Sequence, residues 1–177
     1  PIQEVIYGSP WCNSNVITSV EAVDNFYDMA IAANPSTRMY LMEFHNEVDF
    51  TSTTPHADWV ALNAAMRPLW EQVADSVGLI NGANVCIVPV AAAFEALVDS
   101  VNAGSYPGVT DWSELFDPMD TVVATIHPTE VTYYLVACVH YATIFGQSPV
   151  GLTNVTDAVA GWPFDSPTPA QALIMQQ

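Results

Sequence analysis

The sequence contains no lysine, and its only cations besides histidine are Arg38 and Arg67. Against them stand 19 Asp and Glu, for a formal net charge of −17. That balance argues against nucleic acid as a ligand, because affinity for phosphate backbones comes from Lys and Arg. It argues equally against electrostatic docking to anionic lipid. Schiff-base chemistry and a Walker A phosphate site both need a lysine and are excluded. Cysteine is scarce as well. Cys12, Cys86 and Cys138 are an odd number without metal-type spacing, so neither a disulfide framework nor a metal centre is expected. Cys86 and Cys138 lie in apolar runs and read as small core hydrophobes. A long uninterrupted hydrophobic run is also missing. The stretch from Val131 to Thr156 lacks Asp, Glu, Lys and Arg, but His140, Gln147, Pro149 and Asn154 break it. Its apolar part falls short of the ~20 residues of a membrane span, so none is expected.

What remains is the composition of a folded chain. Of 177 residues, 51% are hydrophobic and 12% charged, the reverse of a disordered segment. This length suits one domain with a substantial core. The start, Pro1-Ile2-Gln3-Glu4, has neither an initiator Met nor the basic region of a signal peptide, and reads as a processed or truncated end. An acidic, lysine-free surface points to an exported, periplasmic or extracellular setting.

Three short apolar runs read as buried strands: Glu4 to Tyr7, Arg38 to Phe44, and Asn84 to Pro89. A helical pattern follows each. Thr18 and Glu21 have capping-box spacing at the head of a helix that Asn34-Pro35 ends. A second helix opens at Thr54-Pro55 and carries Trp59, Leu62, Met66, Leu69, Val73 and Val77. Gly78 is expected to close it and Pro68 to kink or divide it. A third carries Phe94, Leu97, Val98 and Val101 and stops at Gly104. A fourth is expected from His127-Pro128 to Gly146, with Val131, Leu135, Cys138, Ala142 and Phe145 on its core face. The segment from Gly161 to Pro169 reads as a surface strap leading to a short helix at Ala170 to Met175. The division is therefore an α/β domain over 1–152 and a Pro-rich C-terminal strap over 153–177. Strand–helix alternation implies a parallel sheet covered on both faces. Three strands are few for four helices.

The run His127-Pro128-Thr129-Glu130, continuing through Tyr134-Leu135-Val136-Ala137-Cys138-Val139-His140-Tyr141-Ala142-Thr143-Ile144-Phe145-Gly146-Gln147-Ser148-Pro149-Val150-Gly151-Leu152, resembles the last conserved block of bacterial SGNH (GDSL-type) hydrolases. Asn34-Pro35 with Met39-Tyr40-Leu41-Met42-Glu43, and the run Arg67-Pro68-Leu69-Trp70-Glu71, are similar to the same branch. The resemblance implies a three-layer, flavodoxin-like parallel sheet and serine ester hydrolysis, with His127 as the general base. By that correspondence the strands found here are the third to fifth of five, and the sheet is incomplete. The family's aspartate three residues before its histidine is Ala124 here. Its Gly-Asp-Ser block would precede Glu4, so the nucleophile is expected to be absent.

Two readings follow. In the preferred one the domain is non-catalytic, a structural or interaction subunit that another protein chain joins at the Glu4–Tyr7 edge strand. In the alternative it is an active carbohydrate or lipid esterase. His127 is then the base, the nucleophile is Ser9, in the strand-to-turn run Ile6-Tyr7-Gly8-Ser9, or comes from another chain, and Asn13 and Asn15 are oxyanion donors. No cofactor is implied. Asp111, Glu114, Asp117 and Asp120 recur every third residue but lack the glycine-turned loop of a calcium hand, so they read as a solvated acidic segment and no metal is expected. His45 and His56 read as surface residues and His140 as structural. Trp59 and Trp70 belong to the core stripe, leaving Trp11, Trp112 and Trp162 as candidates for a carbohydrate platform.

Overall fold

The computed structural model of the protein describes residues 19–155 and 165–177. They form a mixed α/β arrangement. In chain order come α1 (Ser19–Ala33), β1 (Met39–Glu43), α2 (Pro55–Asn81), β2 (Val85–Pro89), α3 (Val90–Asn102), a 3-10 turn (Trp112–Leu115), α4 (Glu130–Phe145) and α5 (Pro169–Met175). Strands β1 and β2 pair as a two-stranded parallel sheet. The expected first strand, Glu4 to Tyr7, lies outside the described residues. No described helix is long and apolar enough to cross a membrane.

The chain divides into two compact units. Residues 19–42 and 65–87 belong to the first, and 43–64, 88–155 and 165–177 to the second. The α2 helix runs through the division, which falls between Ala64 and Ala65. Pro68 stands four residues beyond Ala64 and removes the N–H that its carbonyl would accept. The helix nevertheless continues through Pro68, so of the two outcomes expected there, a kink or a division, the division does not occur.

The first unit is held by a helical stripe. Met66, Trp70, Val73, Ala74 and Val77 recur at three- and four-residue steps along α2 and pack with Val23 of α1 and Leu41 of β1. Each large side chain buried this way contributes about 1.5–3 kcal/mol. Gly78 does not end α2, which runs on to Asn81. Its role is steric: a Cβ there would meet the Ala83 carbonyl oxygen at 2.7 Å. Ala83 donates its N–H to the Gly78 carbonyl at 3.0 Å, and this tight return needs the missing side chain. Cys86 corrects its sequence reading. Strand alternation turns Val85 and Ile87 toward the apolar cluster and leaves Cys86 exposed between them.

The second unit has an aromatic centre. Trp59 of α2, Phe94 of α3, and Trp112, Leu115 and Phe116 around the 3-10 turn are buried together with Val48 and Leu135. Trp112, 8% exposed, is thus part of the core and no surface platform. Its indole stands 5.7 Å from that of Trp59, and the Phe94 and Phe116 rings meet edge-to-face at 5.3 Å. The α4 helix begins at Glu130 rather than His127, because the Thr129 side chain takes the N-cap and accepts the Thr132 N–H. Its buried face is Thr132, Tyr134, Leu135 and Cys138, while Phe145 is 64% exposed. Gly146 closes the helix in the left-handed region at φ 62°. The C-terminal segment does more than strap the surface: α5 is capped by a Thr168–Gln171 box and sends Ala172 and Met175 into the core.

Candidate active site

The chain between the 3-10 turn and α4 is a loop closed at its base. Phe116 and Pro128 form an antiparallel bridge, Asp117 donates its N–H to the His127 carbonyl at 2.8 Å, and Thr129 donates to Leu115 at 2.9 Å. Farther out, Val48 and Thr125 exchange both backbone hydrogen bonds, and Phe50 donates to Val122. These ties turn the segment back on itself, so that residues seven apart in sequence meet.

His127 and Asp120 are that pair. Nδ1 of His127 is 2.8 Å from Oδ1 of Asp120. The other carboxylate oxygen accepts the backbone N–H groups of Ile126 and His127, each at 2.7 Å. The three bonds fix the carboxylate against the loop, with its side chain only 16% exposed. They hold its pKa down at about 2, the His127 N–H and imidazole first and the Ile126 N–H after them. An ionised Asp120 accepts a hydrogen bond from Nδ1–H, which leaves Nε2 as the basic nitrogen. The imidazole is 63% exposed and open to a reacting group. This is the arrangement a general base needs: a fixed tautomer, a fixed ring and an accessible lone pair.

Of the catalytic and oxyanion candidates, only His127 falls within the described residues; Ser9, Asn13 and Asn15 lie outside them, as do the platform candidates Trp11 and Trp162. The partner that sequence reasoning missed is Asp120. In the sequence it stands as one member of an acidic run that reads as solvated, and its spacing of seven from His127 carries no helical or strand signal. That run is instead used locally. Asp111 caps the 3-10 turn and Glu114 closes the box by accepting the Asp111 N–H at 2.9 Å, while Asp117 accepts the Met119 N–H at 2.8 Å. Among the described residues no cluster of His, Cys, Asp or Glu could hold a metal ion.

His45 is a second correction. It is 0% exposed, not a surface residue. Its ring lies between Phe44 at 4.5 Å and Phe94 at 4.7 Å, with Trp59 and Phe116 edge-on. Nδ1–H donates to the Asn46 carbonyl at 2.9 Å, and Nε2 is buried without a hydrogen-bond partner. Burial lowers its pKa to about 4, opposed by the Asn46 carbonyl and aided by the charge His127 carries when protonated. The same carbonyl accepts Trp59 Nε1–H, and the Asn63 side chain receives both N–H groups of Asn46. His56 is half-buried 3.5 Å from Asp99, and His140 is tied to the Val136 carbonyl of its own helix.

No family model, curated protein or solved structure matches the chain.

Proposed function

We propose that the protein is a serine ester hydrolase of SGNH type, with His127 as general base and Asp120 as the residue that orients it. The observation that carries this reading is the 2.8 Å Nδ1–carboxylate contact beneath an exposed imidazole. The parallel pairing of β1 and β2 with the single helix α2 between them is consistent with the last strands of a flavodoxin-like sheet. In this reading Asp120 replaces the aspartate that the family keeps at the position of Ala124. The chemistry balances without a cofactor. Nε2 takes the serine hydroxyl proton as the oxygen attacks the ester carbonyl. The imidazolium returns that proton to the departing alcohol. Water, activated by the same nitrogen, then releases the acid and restores the serine.

The nucleophile in this proposal is Ser9 or a serine supplied by another chain, with Asn13 and Asn15 as oxyanion donors. Another polypeptide is inferred to pair with the Glu4–Tyr7 segment, since the two parallel strands among the described residues are too few to bury both faces of a sheet. Labelling with a fluorophosphonate probe tests the reading directly. Covalent labelling of the wild type that is lost in His127→Ala and in Ser9→Ala is the expected result. Labelling that persists in Ser9→Ala moves the nucleophile elsewhere. No labelling in any assembly state overturns catalysis and leaves the structural or interaction subunit.

A further inference from the structure

The loop that carries Asp120 and His127 presents apolar side chains to solvent. It contains two consecutive tight turns. Asp120 donates its N–H to the Asp117 carbonyl and Ala124 donates to the Thr121 carbonyl, each at 3.1 Å. The corners of these turns are Pro118-Met119 and Val122-Val123. Turn corners ordinarily carry Gly, Asn, Asp or Ser beside proline, whereas two β-branched residues in a row suit a strand. Yet Met119 is 88% exposed, Val122 62% and Val123 58%. The tips are held in place. Phe50 donates to the Val122 carbonyl, and Met119 donates to the Asp117 carboxylate, both at 2.8 Å. Neither packing nor turn chemistry accounts for three large apolar side chains fixed in water on the two sides of Asp120.

We propose that these two apolar tips seat the protein on the surface of an uncharged, water-insoluble ester, so that the substrate class of the His127 site is neutral lipid. The proposal rests on the ester-hydrolase reading above. Asp120 stands between the two turns and touches His127, so whatever covers the tips lies beside the exposed imidazole. Charge selects the kind of surface. A chain of net charge −17 without lysine is repelled by an anionic lipid layer and is indifferent to an uncharged one. The loop's own carboxylates are drawn back from the tips by the N–H groups they accept, Asp117 by that of Met119 and Asp120 by those of Ile126 and His127. Area favours lipid over a protein partner. Three such side chains offer roughly 300 Å² to bury. A stable protein interface takes ~800 Å² from each side. Side chains that project singly from turns can enter a lipid layer without a matching surface.

Flotation with sonicated triolein droplets tests the surface without any turnover. The wild type should float with the droplets, and the triple variant Met119→Ser, Val122→Thr, Val123→Thr should bind at least about tenfold more weakly. Threonine keeps the branched shape of valine, so the backbone bonds of both turns are retained. Met119→Ser alone, at the most exposed of the three positions, makes the same comparison should the triple variant not fold. Ionised oleic acid added to the droplets should weaken binding of the wild type, with salt relieving the loss. The ratio of hydrolysis of emulsified tributyrin to that of dissolved p-nitrophenyl acetate should fall in the variants. No flotation of the wild type, or equal flotation of wild type and variants, overturns the lipid surface, and hydrolysis of the dissolved ester then leaves the hydrolase standing. Flotation that is lost in the variants, with neither ester hydrolysed, sustains the surface and rejects catalysis. Self-association of the wild type that disappears in the variants, without flotation, makes the tips a protein interface and overturns the proposal.

Discussion

Replacing His45 tests the account of the second unit most directly. The imidazole is sealed between aromatic rings, and its Nε2 has no partner to accept a proton's charge. Its pKa falls from 6.5 in the unfolded chain to about 4 in the folded one, chiefly through burial. Between those values the unfolded state binds a proton that the native state refuses. Stability is therefore full above pH 6.5, declines as pH falls toward 4, and levels off below it as far as this residue is concerned. At 1.36 kcal/mol per pKa unit the loss across that window is about 3 kcal/mol. Chemical denaturation followed by tryptophan fluorescence reports on it, since Trp59 and Trp112 both lie in the affected core. The wild type and His45→Phe should be compared at several values from about pH 7.5 to 4.5, each protein against its own stability at the upper end. The wild type should lose most of the expected amount and the variant should lose less by nearly the same amount. His45→Met provides the same comparison should phenylalanine overfill the site. Parallel pH profiles in wild type and both variants would refute the reasoning, because a histidine that titrates alike in both states is not buried as a neutral ring.

Asp120→Asn should lower the activity proposed for His127 by roughly 10³–10⁴-fold, because an amide NH₂ facing Nδ1 favours the wrong tautomer; the kcat of ester hydrolysis checks it, and a change under about tenfold removes Asp120 from the site. The hydrogen-bonded Asp120 carboxylate contributes stability above the usual carboxylate range that is lost as pH falls toward about 2, so Asp120→Asn should flatten the acid limb of unfolding. Thr129→Ala removes the N-cap of α4 and should cost about 1 kcal/mol in denaturant midpoint times slope. Gly78→Ala places a methyl 2.7 Å from the Ala83 carbonyl oxygen and should cost about 1–3 kcal/mol; an unchanged melting temperature would show that the turn after α2 yields freely.

Period and punctuation carried most of the local structure. The stripe from Met66 to Val77, the helix start at Thr54-Pro55 and the glycines at 104 and 146 act within one or two helical turns, so their consequences are visible in neighbouring residues. The absence of lysine and the excess of carboxylates argue, with no coordinates, against phosphate-bearing ligands. What escaped the sequence depends on residues brought together from afar. His45 looks like any polar residue after a strand until Phe94 and Phe116, about fifty and seventy positions later, close over it. The burial of Trp112 and the exposure of Cys86 likewise depend on which face meets another element, and alternation alone does not say which face that is. His127 was legible because proline and threonine follow it in a recognisable block. Its partner was not, because Asp120 reaches it through a loop whose return is set by the Phe116–Pro128 and Val48–Thr125 bridges. A separation of seven residues in irregular backbone has no fixed distance in space, and only the closed loop brings carboxylate and imidazole into contact.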